Sequence, residues 1–311
     1  MASVLGQTEP DFELLLWDDG STDATREKLR EFAQDDSRCR VVGTDSVGLV
    51  EALRRLGKAA SGRFLTRMDA DDVCLPMRFE RQAAFLDANQ DMGLCGCLHE
   101  TFGGGIGSGR VRYDAWMNAL VQPEAVRREL FVECPVAHPS FMLPADTYRA
   151  VGGYRDHGWP EDYDLVMRVA ASGAEIGKVS EVLLRWRRHS GQTSMTHERY
   201  SEERFRALKR HYLPKFYGAK LDRLYQWGAG QVGKRWLREW TDPKPRAVVD
   251  IHPRKVGTRI HAYPVIAPEE LPAPGEAFTV VTVGAPGARD DIREWFTPRG
   301  YAEGRDYVFL A

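Results

Sequence analysis

The sequence predicts an α/β protein with a doubly wound, mostly parallel sheet, followed by a smaller α/β domain. Apolar runs that fit buried strands alternate with helical patterns through roughly the first 190 residues. A second alternation begins near Lys220, and a chain of 311 residues is long enough for two cores. We therefore predict domains at residues 1–215 and 216–311, with the boundary in the segment LPKFYGAK.

The predicted elements follow from apolar spacing and helix-start signals. The first domain is expected to begin with strands at 12–17, 39–42 and 63–68 and helices at about 24–34, 49–60 and 76–89. The glycine-rich stretch 103–109 is expected to be a mobile loop, either a plain linker or a segment that closes over a substrate. A basic helix at about 197–212 is expected to end the domain.

Composition excludes several classes of protein. The chain is 43% hydrophobic and 28% charged with a net charge of -2, which is ordinary for a globular protein and argues against a general nucleic-acid binder. Local arginines at 185, 187 and 188 could still meet phosphates or anionic lipid. Five cysteines without a CxxC pair fit a reducing compartment. We expect a cytoplasmic protein, with peripheral contact at the inner face of the membrane left open.

The first acidic cluster follows the first predicted strand. Asp18 and Asp19 lie where ligands bind in open α/β sheets, and Gly20 permits a tight turn there. Their carboxylates could accept hydrogen bonds from a nucleotide base or a ribose hydroxyl. A polar turn in which one of residues 21–23 caps the next helix explains the same pattern equally well.

The second acidic cluster, Asp69, Asp71 and Asp72, follows another apolar strand. Residues two apart in an extended chain face the same way, so Asp69 and Asp71 can converge. Close negative charges repel one another unless a cation lies among them. Mg²⁺ and Mn²⁺ accept such oxygens, with substrate phosphates completing the ligand set. A solvated acidic turn is the alternative, and the earlier acidic strand end favours the metal site.

The third acidic cluster is Glu161, Asp162 and Asp164, placed by Pro160 at a helix start. Apolar residues at helical spacing anchor this helix in the core. Acids in a first turn are favoured by the helix dipole whatever their function. A rigidly mounted carboxylate is also what a general base requires.

Five segments together resemble the family 2 glycosyltransferases of GT-A fold and cover about residues 1–195. In chain order they are FELLLWDDGSTDAT, RFLTRMDADD, HPSFMLPADTYRAVGGYRD, WPEDYDLVMRVAASG and RWRRHSGQTS. The resemblance implies sugar transfer from a nucleotide-sugar donor to an acceptor hydroxyl, with inversion, in cell-surface polysaccharide or glycan assembly. The acceptor would be a glycan or a lipid-linked molecule.

The resemblance also implies roles for individual residues. Asp18 and Asp19 would bind the donor, with Asp19 at the base, and Asp69 would lie at the ribose. Asp71 would bind Mn²⁺ or Mg²⁺ on the diphosphate. Asp162 would be the catalytic base. Two further residues are predicted near the donor: Glu161 and His189. A capped loop histidine explains His189 as well.

The beginning of the sequence departs from the family pattern. Members generally open with a strand and a helix before a segment like SVLGQTEPDFE, which starts here at Ser3. About 25 residues would be missing. Loss of a central strand would leave backbone groups unpaired on both flanking strands. A misplaced start is the preferred explanation, and a remnant of impaired activity is the other.

The second domain carries a GxGxxG turn at Gly228, Gly230 and Gly233, with Asp250 at the end of the next strand. The segment resembles the Rossmann-like nucleotide-binding domains of sugar-modifying enzymes. Glycines at this spacing allow a backbone turn near a phosphate, and an acid about 20 residues on can bind a ribose. The remaining length is too short for two full mononucleotide-binding halves, so a dehydrogenase is not expected. The sequence favours nucleotide binding and a docking role of this domain equally.

Two competing functions remain open. A catalytically impaired, nucleotide-sugar-binding partner subunit would follow from a truly absent first strand. A sugar nucleotidyltransferase also uses acidic metal ligands, but no glycine-rich loop with Arg and Lys for a triphosphate is present near the N-terminus.

Overall fold

The computed structural model describes the backbone of residues 1–311 and the side chains of all but residue 194. Contacts divide the chain into two compact units, one of residues 1–127 and 134–205 and one of residues 128–133 and 206–311. The division differs from the predicted boundary by ten residues and by the short segment 128–133. None of the described helices is both long and apolar enough to cross a membrane.

The first unit contains most of the helices. They are α1 (Ala2–Leu5), α2 (Thr25–Asp35), α3 (Leu49–Ala59), α4 (Arg78–Ala88), α5 (Ser108–Ala119), α6 (Pro123–Glu129), α7 (Ala145–Ala150), α8 (Glu161–Ala171) and α9 (Thr193–Thr196). Helix α10 (Glu202–Tyr217) runs from the first unit into the second. The basic helix predicted at 197–212 therefore starts later and ends later. Its first residues instead form a single turn at Glu198–Tyr200.

Seven strands form two sheets in the first unit. They are β1 (Leu14–Trp17), β2 (Cys39–Gly43), β3 (Phe64–Thr66), β4 (Val73–Cys74), β5 (Met92–Gly103), β6 (Met142–Pro144) and β7 (Glu175–Arg188). Strands β1 and β2 pair in parallel as a separate sheet, and the larger sheet has the order β3-β6-β5-β7-β4. Within the described chain, β1 and β3 each have a strand on one side only.

The larger sheet corrects the prediction of a mostly parallel one. Only β5 and β7 pair in parallel, whereas the β3–β6, β5–β6 and β4–β7 pairs are antiparallel. The α/β class itself is confirmed. These directions place the ends of β3, β5 and β7 and the start of β4 at one edge, which we call the acidic edge because Asp69, Asp71 and Asp72 lie there.

The core of the first unit lies where α4 covers the sheet. Phe79 and Leu86 of α4 pack against Cys95, Cys97 and Leu184, and all of these side chains are buried. All five cysteines are free and buried. The long β5–β7 pairing, from Met92–Glu175 to Gly103–Arg188, gives the acidic edge a rigid support.

The second unit is a six-stranded sheet. Its elements are β8 (Leu224–Trp227), α11 (Gln231–Glu239), β9 (Val248–Val249), β10 (Arg259–Ile260), β11 (Tyr263–Ile266), β12 (Phe278–Val281), α12 (Ala288–Phe296) and β13 (Tyr307–Phe309). Its order is β10-β11-β9-β8-β12-β13, parallel except for β10. The chain starts at β8, proceeds to one side and returns to β12, so the strand order reverses between β8 and β12 as in doubly wound folds.

Candidate active site

Asp71 and His189 meet at the acidic edge. His189 Nε2 lies 3.2 Å from Asp71 Oδ2, and both side chains are a little under half exposed. Asp71 lies in the turn after β3, and His189 lies in the turn after β7. The structure thus brings together the predicted metal ligand and the histidine from a segment 118 residues further along the chain.

Asp72 fastens this part of the edge to β7. Its Oδ1 accepts a hydrogen bond from the backbone N–H of Arg187 at 2.6 Å, and Arg187 Nε donates to the carbonyl oxygen of Asp71 at 2.7 Å. Asp72 is buried, and its Oδ2 has no hydrogen-bond partner among the described residues. Burial raises the pKa of Asp72 to about 7, and the charges of Asp69 and Asp71 add to the rise.

Asp69 is paired with Arg67, two residues earlier. The Arg67 guanidinium donates to both carboxylate oxygens of Asp69. Burial alone would lower the pKa of Arg67, but the paired Asp69 raises it above its usual value. Each carboxylate oxygen can accept a second hydrogen bond, so the Asp69 carboxylate could still take a ribose hydroxyl.

Glu161 lies inside the protein at the start of α8. Its side chain is fully buried, and Tyr200 Oη donates to it at 2.8 and 3.0 Å from the two carboxylate oxygens. His138 Nδ1 and Arg199 Nε each lie 3.8 Å from one of those oxygens. Burial, and after it the charge of Arg67, lowers the pKa of His138 well below its usual value, so this histidine is neutral. These contacts assign Glu161 to the scaffold rather than to the donor.

Asp162, the next residue, is only half-buried. Its Oδ1 accepts a hydrogen bond from the N–H of Tyr163 at 2.8 Å, which fixes the carboxylate at the first turn of α8. Tyr154 Oη lies 2.7 Å from His138 Nε2, and His138 Nδ1 lies 3.8 Å from a carboxylate oxygen of Glu161. A chain of buried contacts therefore joins Tyr154 to the first turn of α8.

Asp18 and Asp19 have separate tasks at the end of β1. The buried Asp18 carboxylate accepts from the N–H of Ser21 at 2.9 Å and from Arg26 Nε at 3.0 Å, and its hydrogen bonds to Ser21 lower its pKa. It is a turn residue, but the cap predicted at residues 21–23 is wrong, because the N-cap of α2 is Ala24 and no side chain makes a capping hydrogen bond there. The exposed Asp19 accepts from the N–H groups of Val47 and Gly48 at 2.6 and 2.9 Å. Among the described side chains, neither carboxylate makes a hydrogen bond or ion pair with a residue of the acidic edge.

The ligands offered to a divalent cation are few. Among the described side chains, no group of three or more His, Cys, Asp or Glu residues is placed to hold a metal ion. Asp71 and His189 converge as a pair, and the unpartnered Asp72 Oδ2 lies next to them in the chain. Mg²⁺ is usually bound by one or two carboxylates plus substrate phosphates, so this donor set fits a cation that arrives with a diphosphate.

Comparison with known proteins identifies the first unit. The sequence profile described as Glycosyl transferase family 2 matches residues 1–144. Residues 1–144 are a family 2 glycosyl transferase domain. The first unit has the GT-A fold.

Relatives support this assignment. An uncharacterized glycosyltransferase of Haemophilus influenzae is 28% identical over 217 residues, which are 68% of this chain and 67% of that protein. The O-antigen biosynthesis glycosyltransferase WbnJ of Escherichia coli is 28% identical over 205 residues, 64% of this chain and 77% of its own.

A crystal structure of S. aureus TarS with UDP-GlcNAc supports the same fold. It has a TM-score of 0.55 and 19% identity, and covers 70% of this chain and 61% of its own. The chain thus spans less than two thirds of the TarS chain.

In the second unit, two of the three glycines of the GxGxxG turn are needed for packing. Gly228 has φ +115°, and a Cβ on Gly233 would lie 1.9 Å from the carbonyl oxygen of Gly228. A Cβ on Gly230 would meet nothing within 4 Å. Asp250 accepts from the N–H of Ala229 at 3.0 Å and from Lys255 Nζ at 2.9 Å, so it holds the turn itself. Nucleotide binding at this turn stays a prediction, and Gly230 is the one glycine of the three that packing does not explain.

Sequence reasoning missed several residues of the glycosyltransferase domain. Four of them form the contact network around Glu161 at the start of α8: His138, Tyr154, Arg199 and Tyr200. The fifth, Arg67, is the partner of Asp69. The signal that could have found Arg67 is its place in an apolar strand two residues before Asp69, where a buried cation needs a partner. Nothing in the sequence spacing points to Tyr200, since it lies 39 residues from Glu161.

Proposed function

We propose that this glycosyltransferase moves a sugar from a nucleotide-sugar donor to an acceptor hydroxyl, with inversion at the anomeric carbon. The observation that carries the proposal is the acidic edge itself. The edge carries a carboxylate–imidazole pair, Asp71 and His189, and a half-buried carboxylate, Asp162, stands apart at the start of α8. Sugar transfer needs one group of residues that binds the donor diphosphate and another that removes the proton from the acceptor hydroxyl.

Asp71 and His189 would hold Mn²⁺ or Mg²⁺ together with the donor diphosphate. A bound divalent cation would neutralise the negative charge that develops on the leaving nucleoside diphosphate. Asp69, fixed by Arg67, is proposed to accept a hydrogen bond from the ribose, and Asp19 one from the base. Asp72 and Arg187 keep the backbone of this edge in place.

Asp162 is proposed as the base that takes the acceptor proton as the hydroxyl oxygen attacks the anomeric carbon. Attack from the face opposite the leaving diphosphate inverts the configuration. The helix start restrains the carboxylate, because its Oδ1 is tied to the N–H of Tyr163. A positioned general base contributes about 10²–10⁴-fold to rate.

The substrates are proposed from the relatives. WbnJ is named for O-antigen biosynthesis, and TarS was crystallised with UDP-GlcNAc. We propose a nucleoside-diphosphate sugar as donor and a growing cell-surface glycan, free or lipid-linked, as acceptor.

The test is release of nucleoside diphosphate from a panel of UDP- and GDP-sugars, with Mn²⁺ and with EDTA. We expect release from one donor, loss of release in EDTA, and loss in Asp71→Asn. Asp146→Asn is the matched control, because its side chain is fully exposed and lies away from the acidic edge on α7. Donor binding without release from any donor would instead favour the non-catalytic partner subunit.

A further inference from the structure

A fully buried arginine adjoins the turn that carries the second acidic cluster. We call residues 69–72 the acidic turn, and the N–H of Asp72 closes it by donating to the carbonyl oxygen of Asp69 at 3.3 Å. Arg78, the first residue of α4, is 0% exposed. Among the described residues, its side chain has only uncharged groups as hydrogen-bond partners. Arginine is almost never fully buried without a paired carboxylate, because an unpaired buried charge is costly, so this position needs an explanation.

The Arg78 guanidinium contacts both ends of the acidic turn. Before the turn, its Nη2 donates to the carbonyl oxygen of Arg67 at 2.8 Å and to Thr66 Oγ1 at 3.0 Å. Its Nη1 lies 3.3 Å from Met68 Sδ, also before the turn, and 3.9 Å from Cys74 Sγ after it. One planar group therefore holds the chain on both sides of the three aspartates.

The guanidinium is itself fixed to the core of the larger sheet. Its Nε donates to Gln82 Oε1 at 2.9 Å, one turn further along α4. Gln82 is also 0% exposed, and its Nε2 donates to the carbonyl oxygens of Cys95, on β5, at 3.1 Å and of Ser140 at 2.8 Å. The acidic turn is therefore connected through Arg78 and Gln82 to the central strand of the sheet.

We propose that Arg78 is a positioning residue of the site that binds the cation and the donor diphosphate. The inference rests on the proposed function of that site. Arg78 is buried and acts through the acidic turn, which it holds in one conformation before the ligands arrive. Carboxylates that are already in place bind more tightly, because they need no ordering at the moment of binding. Removing a residue that orients metal ligands typically costs about 10–100-fold in metal affinity.

A role in folding alone is the alternative explanation. An apolar side chain of similar volume would fill the same space without the cost of burying a charge. The rigid, planar fork of arginine can instead donate in several directions at once, here to both ends of the turn and to Gln82. Lysine carries all its donors on one nitrogen and cannot make these contacts together.

The experiment is calorimetric titration of the full chain with UDP and with GDP, in Mn²⁺ and in EDTA. We expect Arg78→Lys to bind the diphosphate about tenfold more weakly than the unmodified chain in Mn²⁺. Thr66→Val leaves the guanidinium in place and removes the side-chain acceptor before the turn, so it should weaken binding about threefold. Urea unfolding of each variant is measured beside the affinity, because a purely structural role lowers the unfolding midpoint and leaves the affinity of the folded protein unchanged.

Arg81→Lys is the matched control. Arg81 lies on the same helix, but its side chain is 44% exposed and lies 3.6 Å from Glu181. This variant should bind the diphosphate as the unmodified chain does, and an equal loss of affinity in it overturns the inference.

The inference is also overturned if Thr66→Val and folded Arg78→Lys bind the diphosphate like the unmodified chain. If Arg78→Lys does not fold, the affinity of Thr66→Val decides. A different result, no Mn²⁺-dependent binding of either diphosphate by the unmodified chain, overturns the proposed function and this inference with it.

Discussion

Replacing Glu161 by alanine should destabilise the first unit, whereas replacing its neighbour Asp162 by asparagine should stop transfer and leave the fold intact. Glu161 is fully buried and accepts from Tyr200 Oη at 2.8 and 3.0 Å. A hydrogen bond to a charged group is worth about 1.5–3 kcal/mol. The variant also leaves the largely buried Arg199 without one of its partners, which brings the expected loss to about 3–5 kcal/mol.

Asp162 lacks that burial. Asparagine keeps an oxygen that can accept from the N–H of Tyr163, so the unfolding free energy should fall by less than about 1 kcal/mol, chiefly through the helix dipole. Removing the base should lower the transfer rate by about 10²–10⁴-fold. Urea unfolding followed by tryptophan fluorescence measures the first quantity, and release of nucleoside diphosphate at saturating donor measures the second.

The reasoning is refuted if Glu161→Ala unfolds at the same urea concentration as the unmodified chain. It is refuted equally if Asp162→Asn keeps normal turnover, since Asp162 would then have no part in proton removal.

Two further predictions concern packing and pH. Gly233→Ala should destabilise the second unit by more than about 2 kcal/mol, because the new methyl group would lie 1.9 Å from a backbone oxygen. Gly230→Ala should change the stability very little, because its methyl group would meet no atom within 4 Å. Thermal unfolding of both variants checks this, and equal unfolding midpoints would contradict it. Burial lowers the pKa of Lys178 to about 7 from 10.5, so the unfolded chain binds more protons between those values. Stability from this group is present above the unfolded pKa and is lost as pH falls through about 7. The free energy of unfolding in urea should therefore rise for the unmodified chain relative to Lys178→Met between pH 7 and about 10, by up to about 1.4 kcal/mol per pH unit. Parallel pH profiles of the two proteins would contradict this.

Strand and helix positions could be predicted from the sequence because they depend on local apolar spacing. The observed Leu14–Trp17, Cys39–Gly43 and Arg78–Ala88 lie within a few residues of the predicted bounds. Strand direction could not be predicted, because a run such as Phe64–Thr66 reads the same in a parallel and an antiparallel pair. That is why the mixed sheet was missed.

The acidic clusters could be found from the sequence, but the separate roles of the residues within each cluster could not. Asp18 and Asp19 are adjacent, yet one is a buried turn residue and the other is exposed. Glu161 is buried and Asp162 only half-buried, and the hydrogen bond that satisfies the buried Glu161 comes from Tyr200, far away in the chain. The spacing of residues along the sequence does not indicate which distant residues will be in contact.

The glycine turn of the second unit shows the same limit. A GxGxxG spacing serves close helix packing and phosphate binding alike. The structure separates the two, because Gly228 and Gly233 are constrained by neighbouring atoms and Gly230 is not.

The central claim is that Asp71 lies where the donor diphosphate binds with its cation. The most direct measurement is calorimetric titration of the full chain with the nucleoside diphosphate of its donor, in Mn²⁺ and in EDTA, for the unmodified chain, Asp71→Asn and the exposed control Asp146→Asn. We expect Mn²⁺-dependent binding in the unmodified chain and in Asp146→Asn, and at least a tenfold weaker affinity in Asp71→Asn, which corresponds to about 1.4 kcal/mol. Equal affinities in all three proteins would show that the diphosphate binds elsewhere.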